Sequence, residues 1–179
     1  SIAKTGISIP LSVNVSRIDI QSCDVCRCLT EMVKKYDIQP ECIHVEITES
    51  TYLTESENLR ETVTALKKKG FVVEMDDFGS GYSSLNILMD LDIDVLKLDK
   101  KLVSGIDAGN EKSRNIVRAV MKMAQSLEIS VIAEGVENKK QADFLNSIGC
   151  NVMQGYYYAK PMPAKEFKSL LKEKSAGEV

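Results

Sequence analysis

Residues 71–81 of the chain read FVVEMDDFGSG, an apolar strand that ends in two adjacent aspartates and a glycine-rich bend. The carboxylates of Asp76 and Asp77 repel each other by roughly 1–4 kcal/mol at 4 Å, depending on the local dielectric. A divalent cation beside the two groups removes that repulsion. The alternative is a solvated turn in which Asp77 or Ser80 caps the following helix. The rest of the chain decides between these two interpretations.

Outward from this stretch, short β-rich runs alternate six times with helical patterns. The predicted strands are Ser8–Val15, Ile43–Thr48, Phe71–Asp76, Asp94–Asp99, Ser130–Glu134 and Asn151–Tyr156. The predicted helices are Gln21–Tyr36, Glu55–Lys69, Ser83–Met89, Glu111–Leu127, Lys139–Ser147 and Ala164–Lys174. Such alternation predicts an α/β fold with a parallel sheet. The length of 179 residues suits one domain, residues 1–179.

The two faces of the predicted strands differ in polarity. In the first strand Leu11, Val13 and Val15 share one face, while Ser12 and Asn14 share the other. An open doubly wound sheet is apolar on both faces. A polar row on one face indicates a TIM-like (β/α)8 barrel whose mouth is lined by functional groups. We therefore expect the aliphatic rows to pack against the covering helices.

Active sites of such barrels lie at the carboxyl ends of the strands. All six predicted strands have polar residues there, namely Asn14, Glu46, Asp76 with Asp77, Lys97, Glu134 and Gln154. The alternative is a coincidental set of caps that face the loops. A complete eightfold barrel needs about 250 residues. We therefore expect that the first two strands are missing from this chain, or that a partner chain completes the barrel.

These side chains suit phosphoryl chemistry. Amide and carboxylate oxygens favour Mg²⁺ or Mn²⁺, and several converging carboxylates predict two ions, with Asp76 or Asp77 as the bridge. The ammonium of Lys97 would stabilise negative charge or position water. Glu134 would accept a proton or complete the metal shell, and Gln154 would orient a ligand or water.

Two alternatives remain for this chemistry. Lys97 could instead pair with Asp94 or Asp99. The same carboxylates and lysine would also suit proton abstraction next to a carboxylate, as in enolase-like enzymes.

Composition excludes several other classes. The formal net charge of −3 argues against binding to DNA or RNA polymers. No apolar run is long enough to cross a membrane, and five cysteines fit reduced thiols, so we expect a cytoplasmic domain. Upstream segments of the whole protein could still tether it. The single histidine, His44, leaves zinc without a ligand set at matching spacing, and we expect it to pack inside the barrel.

From about Ile7 to Leu171 the chain resembles the EAL domain family, the cyclic di-GMP phosphodiesterases. The motifs that carry the resemblance are Ser12-Val13-Asn14-Val15-Ser16, Glu46-Ile47-Thr48-Glu49, Asp76-Asp77-Phe78-Gly79-Ser80-Gly81, Leu96-Lys97-Leu98-Asp99, Ala133-Glu134-Gly135-Val136-Glu137, and Gln154-Gly155-Tyr156 with Lys160-Pro161. The family's Glu-x-Leu signature, whose glutamate is another metal ligand in the family, lies on an earlier strand that is absent from this chain. The resemblance therefore covers the C-terminal three quarters of the domain.

The resemblance implies a barrel with one antiparallel strand and hydrolysis of cyclic di-GMP to linear pGpG in bacterial signalling. It implies metal ligation by Asn14, Glu46, Asp76 and Asp77, and activation of water by Lys97 and Glu134. Support from Gln154 is also implied, and Glu137 matches the pattern with a less defined role. Glu49 would anchor the Asp77–Tyr82 loop, which in the family links the site to dimerisation.

The resemblance also sets the expected partners. We expect cyclic di-GMP as the ligand and a homodimer, with room for upstream sensor or GGDEF-type domains. The alternative function is a catalytically inactive cyclic di-GMP receptor or a dimerisation scaffold, because the Glu-x-Leu strand is not in this chain.

Overall fold

The structure is a computed structural model, and it describes residues 9–79, 84–107 and 110–176. Six strands form there: β1 Leu11–Asn14, β2 Ile43–Thr48, β3 Val72–Phe78, β4 Val95–Leu98, β5 Ser130–Ala133 and β6 Val152–Met153. The helices of the same residues are α1 Arg17–Ser22, α2 Val25–Tyr36, α3 Glu49–Lys68, α4 Ser84–Asp90, α5 Lys100–Ser104, α6 Glu111–Ser126, α7 Lys139–Ser147 and α8 Ala164–Ala176. A 3₁₀ turn, Pro40–Cys42, precedes β2.

The strands form one parallel sheet in the order β1-β2-β3-β4-β5-β6, curled into a half-barrel. This arrangement confirms the α/β class and the six strand–helix units. Every strand pair in the described ranges is parallel, so the antiparallel strand implied by the resemblance is not among them. Strands β1 and β6 are the sheet edges within these ranges, and the half-barrel is therefore open between them.

Local capping explains part of the difference between the predicted and the observed helices, whereas α3 begins at Glu49, before the predicted start at Glu55, without a side-chain cap bond. One helix was predicted over Gln21–Tyr36, but the chain forms α1 and α2 there. Ser16 and Asp19 form a reciprocal capping box that starts α1, and the side chain of Asp24 accepts from the Arg27 N–H to start α2. The short helix α5, which begins at the cap residue Asp99, was not predicted.

The core lies between the outer face of the sheet and the helices. Its largest buried side chains include Ile47, Leu59, Met75, Leu96 and Leu145.

Among the described residues, no helix combines the length and hydropathy that a membrane span requires.

The first strand departs from the expected packing. Val15 is buried as expected, but Leu11 is 55% exposed and Val13 is 36% exposed. The expectation that the aliphatic row of β1 packs against helices is wrong at these two residues, because β1 is an edge strand that the described helices leave uncovered. The position of β1 therefore depends on its bonds to the sheet more than on apolar burial.

We expect Leu96→Ala to lower the free energy of unfolding by about 2–5 kcal/mol, because it opens a cavity in the most central part of the core. The matched control is Leu85→Ala on α4, whose side chain is 62% exposed, and it should change stability by no more than about 0.5 kcal/mol. Urea unfolding of the metal-free chain measures both. Equal losses in the two variants would contradict the packing described here.

Candidate active site

A β-bulge lies near the end of β3, at the two adjacent aspartates. Met75 pairs with Leu96 and Phe78 pairs with Leu98, so β3 holds one residue more than β4 between these pairs. Asp77 has a left-handed backbone with φ 57°, and its N–H donates to the Asp76 carboxylate at 3.0 Å. Successive side chains of a regular strand point to opposite faces, whereas a bulge re-aims them.

The bulge brings both aspartates into one acidic group with the end of β5. One carboxylate oxygen each from Asp76, Asp77 and Glu134 lies within 4.8 Å of the other two. Three carboxylates at this separation can share a cation. The loop that Glu49 was predicted to anchor, Asp77–Tyr82, lies outside the described residues from Ser80 to Tyr82.

The ammonium of Lys97 joins the carboxylates of three other strands. Its Nζ lies 2.6 Å from Glu46 Oε1, 2.7 Å from Glu134 Oε1 and 3.1 Å from Asp76 Oδ1. The Lys97 side chain is only 7% exposed, since β4 lies in the middle of the sheet. A lysine held this way is a hub for the polar residues at the mouth of the half-barrel.

The predicted alternative partners of Lys97 are engaged elsewhere. Asp94 contacts Lys67 and accepts from the Val73 N–H. Asp99 accepts from the Lys101 N–H at the start of α5. The alternative that Lys97 merely pairs with Asp94 or Asp99 is therefore wrong.

Asn14 and Gln154 lie at opposite ends of the same arrangement. Asn14 is the register partner of Glu46 on the neighbouring strand, so the two side chains share a face. Gln154 follows β6, and its amide donates to Glu134 Oε1. The structure therefore brings Glu46, Asp76, Lys97, Glu134 and Gln154 into contact as a chain, with Asn14 beside Glu46.

The turn at Gln154 depends on a glycine. Gly155 has φ 154°, and a Cβ added there would lie 2.2 Å from the Val136 carbonyl oxygen. Only glycine permits this approach. The Val136 N–H also donates to the Gln154 carbonyl at 3.1 Å, which fixes Gln154 against the end of β5.

Glu49 and Glu137 lie outside this contact chain. Glu49 is 4% exposed and begins α3 directly after β2. Glu137 pairs with Lys100 at 2.6 Å, with both side chains roughly half exposed. Sequence reasoning missed Lys100, although its position directly after Leu96-Lys97-Leu98-Asp99 was a usable signal.

A cleft of about 600 Å³ adjoins the acidic group, a volume in the range of small-ligand sites. Glu134 and Gln154 line one side, and Tyr156 and Lys160 line another, with the Lys160 ammonium 5.5 Å from the Tyr156 ring centre. The Tyr156 side chain is exposed, and the Lys160 ammonium lies over its ring.

The site has an excess of negative charge. Burial alone would lower the pKa of Lys97, but hydrogen bonds with Glu134 and Glu46 outweigh it and hold the pKa above the usual lysine value. Burial raises the pKa of Glu134, although its hydrogen bond to Lys97 opposes the shift. Burial, then the charge of Asp76, raises the pKa of Asp77.

Carboxyl groups outnumber cations in the cluster. Among the described residues of the cluster, four carboxylates (Glu46, Asp76, Asp77 and Glu134) face one ammonium. Hard oxygen donors with uncompensated charge fit Mg²⁺, Mn²⁺ or Ca²⁺.

The sequence of the chain is similar to those of known proteins of one family. The family model described as "EAL domain" matches residues 2–161. The cyclic di-GMP phosphodiesterase PdeR of Escherichia coli strain K12 is 37% identical over 163 residues, which are 91% of this chain and 24% of that protein. The chain spans about a fifth to a quarter of the length of the first curated relatives it matches.

Solved structures share the fold. The EAL domain of Mycobacterium smegmatis DcpA superposes with a TM-score of 0.89 at 33% identity, covering 96% of this chain and 77% of that one. The manganese/cy-diGMP complex of Klebsiella pneumoniae BlrP1 superposes with a TM-score of 0.76 at 29% identity, covering 83% and 38%. One relative of this fold has thus been solved with a divalent metal.

We expect Asp77→Asn to stabilise the metal-free chain at pH 7 by about 1 kcal/mol, the size of a hydrated like-charge contact at about 4 Å. A carboxyl whose pKa is raised by folding contributes stability below its unfolded pKa and loses it as pH rises through the folded pKa. Ionised Asp77 therefore costs stability at pH 7, and the gain from Asp77→Asn should shrink as pH falls through the folded pKa towards the unfolded pKa. Asparagine also tolerates the left-handed backbone.

Urea unfolding in a chelator at pH 7 and pH 4 measures this gain. The control is Asp92→Asn, since the Asp92 side chain is 79% exposed and should contribute no more than about 0.5 kcal/mol. A loss of stability in Asp77→Asn at pH 7 would show that the Asp77 carboxylate is not under repulsion.

Proposed function

The chain belongs to the EAL domain family, and on this premise we propose that it is a metal-dependent phosphodiesterase that hydrolyses cyclic di-GMP to linear pGpG. The observation that carries the proposal is the Lys97 hub, where one buried ammonium contacts carboxylates from β2, β3 and the end of β5 at the mouth of the half-barrel. The names of PdeR and of the BlrP1 complex support the substrate.

Asn14, Glu46, Asp76 and Asp77 are the proposed metal ligands. Their oxygens suit Mg²⁺ or Mn²⁺, and we propose two ions with Asp76 or Asp77 shared between them. Bound metal would neutralise charge on the substrate phosphate and lower the pKa of water. The cluster's uncompensated negative charge supports this assignment, because cations would relieve the repulsion that raises the pKa of Asp77.

Lys97 and Glu134 are the proposed catalytic residues together with Asp77. The pKa of Lys97 is held above the usual lysine value, so its side chain stays an ammonium at neutral pH and acts as a cation, not as a base. It would hold negative charge on the phosphate and position the attacking water. Burial raises the pKa of Glu134, which favours proton uptake from that water.

Three further residues have supporting roles in the proposal. Gln154 donates to Glu134 and would fix the orientation of that carboxylate. Glu137 lines the adjoining cleft with Tyr156 and would help to hold the substrate. Glu49 would anchor the loop after Asp77, since it directly follows Thr48, the register partner of Asp76.

The organisation of the whole protein is also a proposal. We propose a single EAL-type domain in which strands from outside this sequence, or from a second copy, cover the opening between β1 and β6. We also propose that the protein forms a homodimer and carries upstream sensor or GGDEF-type domains. We further propose a cytoplasmic location, which the five cysteines of the chain, as free thiols, would suit.

Asp76→Asn should reduce Mn²⁺-dependent hydrolysis of cyclic di-GMP by at least about 10²-fold, because it replaces a charged oxygen ligand of the proposed metal ions with a neutral amide. The assay follows pGpG by chromatography, with Mn²⁺ or Mg²⁺, for this chain and for a longer form that adds upstream residues. The matched control is Asp92→Asn, an exposed aspartate remote from the cluster, which should keep the wild-type rate.

The outcome separates the two functions. Turnover that Asp76→Asn abolishes supports the phosphodiesterase, and turnover by the longer form alone would assign the loss in this chain to the open half-barrel. Metal-independent binding of cyclic di-GMP without turnover in both forms would contradict the enzyme and favour the receptor.

A further inference from the structure

A second polar network lies inside the half-barrel, below the acidic site. The carboxylate of Glu74 is 1% exposed, and its Oε1 lies 2.6 Å from His44 Nδ1. The Ser12 hydroxyl donates to Glu74 Oε2 at 3.1 Å. Both oxygens of a fully buried carboxylate are thus bonded, one to β2 and the other to β1. Neither the comparisons nor the proposed chemistry uses these three residues.

The network repeats the layout of the proposed metal ligands one step lower. Ser12 precedes Asn14 by two residues on β1, His44 precedes Glu46 by two on β2, and Glu74 precedes Asp76 by two on β3. Residues two apart on a strand share a face. The bonded residues and the proposed ligands are therefore adjacent layers of the same inner face.

This layout matters most for β1. All four of its residues are exposed, so apart from Val15, directly after the strand, apolar burial contributes little to its register against β2. A slip by two residues keeps every side chain on its face yet moves Asn14 by about 6.6 Å, beyond reach of a shared ion. Backbone bonds reform after such a slip. The directional bond from Ser12 to Glu74 does not, because Glu74 reaches across β2 to one residue of β1.

We propose that Ser12, His44 and Glu74 are positioning residues that hold β1 and β2 in register on β3 and thereby place Asn14 and Glu46 for metal binding. The inference rests on the proposed function for the identity of the ligands. A buried polar network is weak as a source of stability, because well-packed apolar residues commonly do as well, whereas fixing a register is its best-attested use.

The first test is a double-mutant cycle on β1. Mn²⁺ affinity is measured from the free-ion signal in electron paramagnetic resonance for wild type, Ser12→Ala, Asn14→Ala and the double variant. We expect Ser12→Ala to weaken Mn²⁺ binding about 5–10-fold, and the double variant to bind no more weakly than Asn14→Ala alone. Ser12 is exposed on an edge strand, so its truncation leaves the core intact.

Three matched variants separate positioning from general stability. Ser12→Thr keeps the hydroxyl and should restore wild-type Mn²⁺ affinity. Loss of the bond to the buried Glu74 should lower the free energy of unfolding of Ser12→Ala by about 1–3 kcal/mol, and its urea midpoint shows whether the chain stays folded. Glu74→Leu removes the network and replaces the carboxylate with an apolar side chain of similar size. It should weaken Mn²⁺ binding at least as much as Ser12→Ala. Glu74→Gln, which keeps an acceptor for one partner, should fall between Glu74→Leu and wild type.

Wild-type affinity in Ser12→Ala, or a further loss in the double variant beyond Asn14→Ala, would overturn the inference. Because the readout is metal affinity, absence of cyclic di-GMP hydrolysis in wild type would contradict the proposed function alone. A wild-type chain without measurable Mn²⁺ affinity would overturn both.

Discussion

The ammonium of Lys97 is the interaction on which the site depends. It lies in the middle of the sheet, within 3.1 Å of carboxylates from β2, β3 and the end of β5. Without a cation, these buried carboxylates would repel each other and the strand ends would separate. The contacts in turn hold the pKa of Lys97 above the usual lysine value, so the charge that organises the site persists at neutral pH.

The single ammonium of Lys97 does not balance the four carboxylates of the cluster. This excess of negative charge links the stability of the fold to its proposed function. Asp77 is held in a left-handed conformation at a bulge, where burial and the charge of Asp76 raise its pKa. Such strained, repelling groups cost folding free energy in the metal-free chain. A divalent cation would recover that cost on binding, and metal affinity would therefore come partly from relief of repulsion that folding has already imposed.

The open side of the half-barrel sets a different constraint. Strand β1 carries Asn14 at the edge of the sheet, without the apolar burial that fixes the inner strands. Hydrogen bonds from Ser12 and His44 to the buried Glu74 supply directional contacts in place of that burial. Polar bonds thus fix the position of Asn14 at the sheet edge, whereas the position of Lys97 is fixed by the buried core around β4.

The sequence by itself determined the α/β class, the six strand–helix units and the polar residue at the end of each strand, because period-two patterns and turn residues are local signals. It did not determine that Asp76 and Asp77 would both join Glu134. Regular alternation sends neighbours to opposite faces, and the bulge arises only when β3 pairs with β4. Likewise, Asp94 and Asp99 are the acidic residues close to Lys97 in sequence, and only tertiary structure assigned it Glu46, Asp76 and Glu134. Which charges meet depends on strand order and register, and both are set by pairing between distant segments.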